Sequence, residues 1–137
     1  AAENAWFAAA FVKIGLVPDS GLTWLLPRLM GAGSALELLL TGRQVSAAEA
    51  LNLGLVSQVV PDDVLAATVS KLAGDFATAP TRTIGYIKQA VNYALDHTLA
   101  ESLEQEAELQ TLAGKTADHQ EGVLAFLQKR PPQFTGQ

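Results

Sequence analysis

The chain has 137 residues, of which 49% are hydrophobic and 17% are charged, and its formal net charge is -5. A chain of this length can bury roughly two thirds of the surface that its unfolded state exposes, so the composition predicts a folded domain and excludes disorder. The acidic balance, with no basic cluster beyond Lys129 and Arg130, argues against a nucleic-acid partner. The chain has no cysteine, which excludes disulfides and thiolate metal sites and is compatible with a cytoplasmic location.

The sequence offers no membrane or metal signal. The longest apolar stretches are interrupted by charged residues and proline before they reach the roughly 18 residues that a bilayer span needs. His97 and His119 lie too far apart in the sequence to form a helical ligand pair. We therefore expect no membrane association and no metal site.

The first segment of interest is the apolar run of residues 6–17, which ends at Pro18. Its aromatic and β-branched residues predict a short buried strand followed by an extended run. Strands that could pair with it are not evident elsewhere in the chain. The chain also begins with Ala1 in place of Met, so we expect it to be cut from a longer polypeptide.

A turn and a series of short elements follow this run. Pro18-Asp19-Ser20-Gly21 has the composition of a tight turn, because proline presets φ and glycine tolerates positive φ. The pattern then predicts helices over residues 22–30 and 34–40, with Pro27 limiting the first and Gly42 ending the second. Ser46 and Glu49 have the spacing of a capping box before a third helix that ends at Gly54. A strand is expected over residues 55–60.

The sequence after Pro61 is predicted to be helical. Apolar residues repeat at helical spacing over residues 65–76 and 84–95. Thr98 and Glu101 form a second capping box ahead of a helix that ends near Gly114, and a last helix spans about 117–128. Pro131 and Pro132 then leave an extended tail. The pattern divides the chain into a mixed part, 1–60, and a helical part, 61–137.

Three motifs occur in a characteristic order along the chain. The first is Lys13-Ile14-Gly15-Leu16-Val17-Pro18-Asp19-Ser20-Gly21. The second runs from Glu37 through Thr41-Gly42 and Ser46-Ala47-Ala48-Glu49-Ala50 to Gly54-Leu55-Val56, and the third runs from Asp118-His119-Gln120-Glu121-Gly122 to Lys129-Arg130-Pro131. Together they resemble the C-terminal half of the crotonase (enoyl-CoA hydratase/isomerase) superfamily. The resemblance implies an α/β crotonase-like fold, a ββα spiral, of which this chain covers the mostly helical C-terminal half. It further implies that residues 1–60 form the C-terminal part of the spiral core with the acyl-pocket turn, and that residues 61–137 serve assembly and CoA contact.

Within that superfamily the first motif looks most like the bacterial epoxyphenylacetyl-CoA isomerases of phenylacetate degradation, which also move double bonds in enoyl-CoA thioesters. This likeness implies an acyl-CoA substrate whose thioester enolate is stabilised by two backbone amides upstream of the region matched here. Coenzyme A is then part of the substrate, and no separate cofactor is expected. Family members assemble as trimers or dimers of trimers.

The resemblance implies that Asp19 is the catalytic base of such an isomerase. From composition alone, an aspartate in a turn is more often a helix cap than a catalyst. One carboxylate is enough for a proton shuttle, and Val17, Leu22 and Trp24 are expected to form apolar walls of the acyl pocket. In the family's hydratases a glutamate stands at the position of Phe11. A phenyl ring cannot accept a proton, which disfavours hydration.

Phe126 and Lys129 match family positions near the CoA moiety, where an aromatic ring packs on the ligand and a lysine pairs with phosphate. The alternatives are a core phenylalanine on an amphipathic helix and a solvated lysine favoured by the helix dipole. For the chain as a whole, the alternative to an isomerase is a non-catalytic helical assembly module. We expect the isolated chain to be inactive, or to act together with a separate N-terminal half.

Overall fold

The computed structural model describes all residues, 1–137. The elements are two short strands and seven α-helices, with two short 3-10 helices. In chain order they are β1 (Trp6–Ala8), α1 (Leu22–Met30), α2 (Ala32–Thr41), β2 (Gln44–Ser46), α3 (Ala47–Asn52), α4 (Leu65–Ala77), α5 (Thr81–Ala94), α6 (Leu99–Ala113) and α7 (Ala117–Gln128). The 3-10 helices are Ala10–Ile14 and Asp62–Val64. The chain forms two compact units, 1–68 and 69–137, which divide within α4.

The first unit contains a two-stranded sheet. β1 and β2 pair antiparallel, with Phe7 opposite Val45. The expectation that β1 has no partner within the chain was therefore wrong, because a three-residue strand such as β2 is too short to show a period-2 pattern. The expectation of a buried strand was wrong as well, since all three residues of β1 are exposed. Residues 10–14 form a 3-10 helix and not an extended run.

The core of the first unit is small. Leu38 of α2, Val45 of β2 and Ala50 of α3 are buried together, and α1 packs on α2. Residues 55–60 do not form the expected strand, and only Val60 is bridged, in parallel, to Ala2. Leu55 and Val56 instead pack against the core cluster. Their apolar sequence reflects this packing and not a strand.

Helix boundaries in the first unit follow the sequence signals with two exceptions. Gly42 ends α2 in the left-handed conformation (φ 56°), as the pattern predicts. α1 has the predicted bounds, Leu22–Met30, but Pro27 lies inside it and does not limit it. The first helical turn of α2 begins two residues earlier than predicted, at Ala32. The capping box at Ser46 is only half formed, because the Ser46 Oγ accepts from the Glu49 N–H at 3.2 Å while the Glu49 carboxylate turns to Arg43.

The second unit is helical, as the sequence predicts. Thr98 and Glu101 form the complete capping box at the start of α6, and α5 packs on α6. The proposed division of functions between residues 1–60 and 61–137 stays a prediction. No helix combines the length and the apolar character required to cross a bilayer.

Candidate active site

The turn that carries Asp19 connects the first 3-10 helix to α1. The Asp19 carbonyl accepts a hydrogen bond from the Leu22 N–H at 3.0 Å, and the Ser20 Oγ donates to the Asp19 Oδ1 at 3.0 Å. The carboxylate is exposed and no cation pairs with it among the ion pairs of the structure. The turn therefore presents one accessible carboxylate, oriented by a neighbouring hydroxyl.

Two consecutive residues of this turn have positive φ. Gly21 (φ 80°) adopts it without penalty, but Ser20 (φ 53°) has a side chain and is one of only two non-glycine residues of the chain in that region. A residue in this conformation costs of order 1 kcal/mol, and such strain is concentrated at functional sites. The turn thus holds Ser20, the neighbour of Asp19, in a conformation that costs stability.

An apolar cavity of about 260 Å³ lies in the first unit. Its walls come from β1, α1, α2, β2 and the segment after α3, and they are Phe7, Ala8, Ala9, Leu22, Leu26, Leu38, Arg43, Val45 and Leu55. Arg43 is the only charged residue among them. Leu22 joins this cavity to the Asp19 turn, because its side chain lines the cavity while its backbone N–H is bonded to Asp19. Asp19 itself does not line the cavity.

The three predicted acyl-pocket residues lie in different environments. Leu22 lines the cavity, whereas Val17 is 79% exposed and Trp24 is 38% exposed. The Trp24 ring is covered by the Arg28 guanidinium, 3.8 Å from the ring centroid. Of the three side chains, the structure brings only Leu22 to the cavity.

The two predicted CoA contacts lie at the end of α7 in the second unit. Phe126 is 82% exposed and lines a cavity of about 400 Å³ together with Phe134 of the C-terminal tail. It is therefore not a core residue of this chain. Lys129 caps α7 in the left-handed conformation (φ 54°), and its N–H donates to the Phe126 carbonyl at 3.2 Å.

Comparison with known proteins decides the family. The family model described as Enoyl-CoA hydratase/isomerase matches residues 1–137. The chain belongs to the enoyl-CoA hydratase/isomerase family. It is 52% identical over 136 residues to the 1,2-epoxyphenylacetyl-CoA isomerase of Escherichia coli K12 and 37% identical to the 2,3-dehydroadipyl-CoA hydratase of the same strain. These alignments cover 99% of this chain but only 52% and 53% of the relatives.

The solved structures agree with this family and its crotonase-like fold. Subunit I of an enoyl-CoA hydratase from Geobacillus kaustophilus HTA426 superposes with a TM-score of 0.96 at 38% identity, covering 99% of this chain and 53% of that structure. The chain has a partial crotonase-like fold, and it spans about half the length of the relatives it matches. The resemblance inferred from the three motifs is thus confirmed.

Phe11 bears on the difference between isomerases and hydratases of this enoyl-CoA hydratase/isomerase family. It is half-buried in the first 3-10 helix, and its carbonyl accepts from the Leu16 N–H at 3.0 Å. A carboxylate is absent at this position. Asp19 is the only acidic residue of the first motif, residues 13–21.

An ionic cluster around Arg43 was not predicted from the sequence. The guanidinium binds Glu37 of α2 and Glu49 of α3, at 2.7 Å to each. The hydrogen bonds from Arg43 lower the pKa of both carboxyls, and those to Glu49 and then Glu37 raise the pKa of Arg43. Glu37 and Glu49 lie in two different helices, each six residues from Arg43, so no local pattern indicates these pairs.

A buried carboxylate, Asp118 at the start of α7, was likewise not predicted. This side chain is 2% exposed and accepts hydrogen bonds from the N–H groups of Thr135 at 2.7 Å and Gly136 at 2.8 Å. Asp118 thereby holds the tail on the second unit. No group of three or more potential ligand side chains in the chain is arranged to hold a metal ion.

Proposed function

We propose that the whole protein is an acyl-CoA isomerase that converts epoxyphenylacetyl-CoA to oxepin-CoA, shifts double bonds in enoyl-CoA thioesters, or does both. The observation that carries the proposal is Asp19, a single exposed carboxylate fixed on a strained turn and hydrogen-bonded through its backbone to cavity-lining Leu22. The 52% identity to an epoxyphenylacetyl-CoA isomerase supports the substrate class.

A single carboxylate suffices for the double-bond shift. Asp19 takes a proton from a carbon next to the double bond, and the electron pair delocalises onto the thioester oxygen as an enolate. The same carboxyl group then returns the proton to the far carbon, so that no atom is gained or lost. The enolate is stabilised by two backbone amides from segments that this chain does not include. The conversion of the epoxide to the oxepin is likewise an isomerisation, so the product has the same elemental composition as the substrate.

The acyl group is proposed to lie in the apolar cavity, with Val17 and Trp24 lining its approach. The CoA moiety contacts Phe126 and the Lys129 ammonium, which suits a phosphate as a mobile point charge. No cofactor beyond the substrate's own CoA is required. We further propose a cytoplasmic homotrimer or dimer of trimers, in which the other half of the fold comes from the same polypeptide or from a separate piece.

Hydration is the second candidate, because the chain is also 37% identical to a 2,3-dehydroadipyl-CoA hydratase. Phe11 argues against it, since a phenyl ring can neither orient nor activate a water molecule. A hydratase of this family would need its water-activating carboxylate at another position.

The mass of the product separates the two candidates. The whole protein is incubated separately with a β,γ-unsaturated acyl-CoA, an α,β-unsaturated acyl-CoA and epoxyphenylacetyl-CoA, and the products are separated by liquid chromatography and analysed by mass spectrometry. We expect a rearranged product of unchanged mass. A product heavier by one water, formed from the enoyl-CoA as the main species, would contradict the isomerase proposal and favour hydration.

A further inference from the structure

Arg43 has an unusually complete set of partners. Its Nε and Nη2 donate to Glu37 at 2.7 and 2.9 Å, its Nη1 and Nη2 donate to Glu49 at 3.0 and 2.7 Å, and its Nη1 also donates to the Gln44 carbonyl at 3.3 Å. These five hydrogen bonds equal the number of N–H groups of a guanidinium. A lysine, with three donors on one atom, cannot reproduce this planar arrangement.

The position of this cluster in the chain links it to the cavity. Arg43 directly precedes β2, and Ser46, the last residue of β2, caps α3. The two glutamates come from the helices on either side, so Arg43 ties α2 and α3 together around the strand. Arg43 itself lines the apolar cavity, as does Val45 in the middle of β2.

The pairing of β1 with β2 requires stabilisation from outside the two strands. β1 and β2 are paired over only three residues each, and an isolated two-stranded ladder is marginally stable. A slip by one residue would turn Val45, which is 2% exposed, to the opposite face and replace an apolar cavity wall with a polar residue. The register of β2 therefore determines the shape of the cavity between Phe7 and Val45.

We propose that Arg43 is a positioning residue for acyl-group selection: by holding β2 in register, it shapes the apolar cavity that accepts a bulky apolar acyl group. This inference rests on the proposed function, because it assumes that the acyl group occupies this cavity. It assigns no chemical step to Arg43. The expected consequence of disturbing the cluster is weaker discrimination between acyl groups, with the proton transfer at Asp19 retained.

The test uses two acyl-CoA thioesters that cannot isomerise and share the CoA moiety, phenylacetyl-CoA and acetyl-CoA. Their dissociation constants are measured by calorimetry for the whole protein and for Arg43→Lys and Glu49→Gln. Because both thioesters contain the same CoA moiety, its contribution to the binding free energy cancels in the ratio of the two dissociation constants. Glu49→Gln keeps the size of the side chain and serves where Arg43→Lys does not fold. Arg130→Lys is the matched control, because it disturbs a similar arginine–glutamate pair, with Glu121, in the other unit.

The wild-type protein is expected to bind phenylacetyl-CoA more tightly than acetyl-CoA. In the folded Arg43→Lys or Glu49→Gln variants the ratio of the two dissociation constants should move about tenfold toward one, because apolar pockets discriminate between ligands on this scale. Arg130→Lys should leave the ratio unchanged. Equal binding of both thioesters by the wild type, or an unchanged ratio in the folded cluster variants, would overturn the inference.

These outcomes are separate from those of the proposed function. A protein that shows the Arg43-dependent ratio but releases no isomerised product retains the positioning role and refutes the isomerase. A protein that isomerises its substrate with a ratio insensitive to Arg43 and Glu49 retains the isomerase and refutes the positioning role.

Discussion

Removal of the Asp118 carboxylate should detach the C-terminal tail from the second unit. The side chain is 2% exposed, and its two oxygens accept the N–H groups of Thr135 and Gly136 at 2.7 and 2.8 Å. The Asp118 N–H in turn donates to the Gln137 carbonyl at 3.0 Å. In Asp118→Ala the Thr135 and Gly136 N–H groups lose their acceptors. Hydrogen bonding of these groups to water then favours the detached tail over the docked tail.

The size of the effect follows from the number and kind of these bonds. A hydrogen bond to a charged group contributes about 1.5–3 kcal/mol, so two of them set an upper range of about 3–6 kcal/mol. Solvation of the freed tail amides reduces this loss toward the lower end, about 3 kcal/mol. Since about 1.4 kcal/mol corresponds to a factor of ten, the tail should open roughly 100-fold more often.

Hydrogen exchange of the Thr135 and Gly136 amides in the whole protein measures this opening directly. We expect these amides to exchange about 100-fold faster in Asp118→Ala, and less than that in Asp118→Asn, which keeps one oxygen acceptor. Asp75→Asn is the control, because Asp75 forms an exposed pair with Lys71 that contributes little. Equal exchange rates in Asp118→Ala and the wild type would refute the reasoning.

Two further predictions concern the same tail. Gly136→Ala should destabilise it by about 1–3 kcal/mol, because Gly136 has φ 78° and a Cβ there would clash with the Thr81 Oγ1. Gly122→Ala, whose Cβ meets only ordinary contacts at 3.6 Å, should leave thermal unfolding unchanged or raise its midpoint. The hydrogen bonds from Arg130 and from the Gln133 N–H lower the pKa of Glu121 to about 2. Because this folded-state pKa is depressed, the stabilisation is complete above the ordinary value near 4.5 and is lost as the pH falls from there to about 2. The protection factor of the Gln133 amide, which is its intrinsic exchange rate at each pH divided by the measured rate, should fall over that window. A loss of protection that occurs only above that window would contradict the assignment.

The helical half of the fold was predictable because its signals are local. The capping box at Thr98 and the repeating apolar residues of α4 and α5 indicate helices with no information from elsewhere in the chain. The strands were not predictable in the same way. β2 has three residues, and its pairing with β1 joins segments almost 40 residues apart, so neither periodicity nor propensity reports it.

The candidate site shows the same division. Asp19 lies in a turn that its residues predict, and its catalytic role is a prediction that depends on the motif resemblance. Arg43 and Asp118 were missed because their partners come from other elements, at separations that have no period. A buried or fully paired charge is a property of tertiary structure, and no local pattern predicts it.

The most direct test of the account is turnover by Asp19→Asn in the whole protein, compared with Asp63→Asn, which makes the same change at another exposed aspartate. Isomerisation of a β,γ-unsaturated acyl-CoA is followed by ultraviolet absorbance, and binding of phenylacetyl-CoA is measured alongside. We predict that Asp19→Asn abolishes turnover and retains binding, while Asp63→Asn retains both. Unchanged turnover in Asp19→Asn would remove this carboxylate from the mechanism.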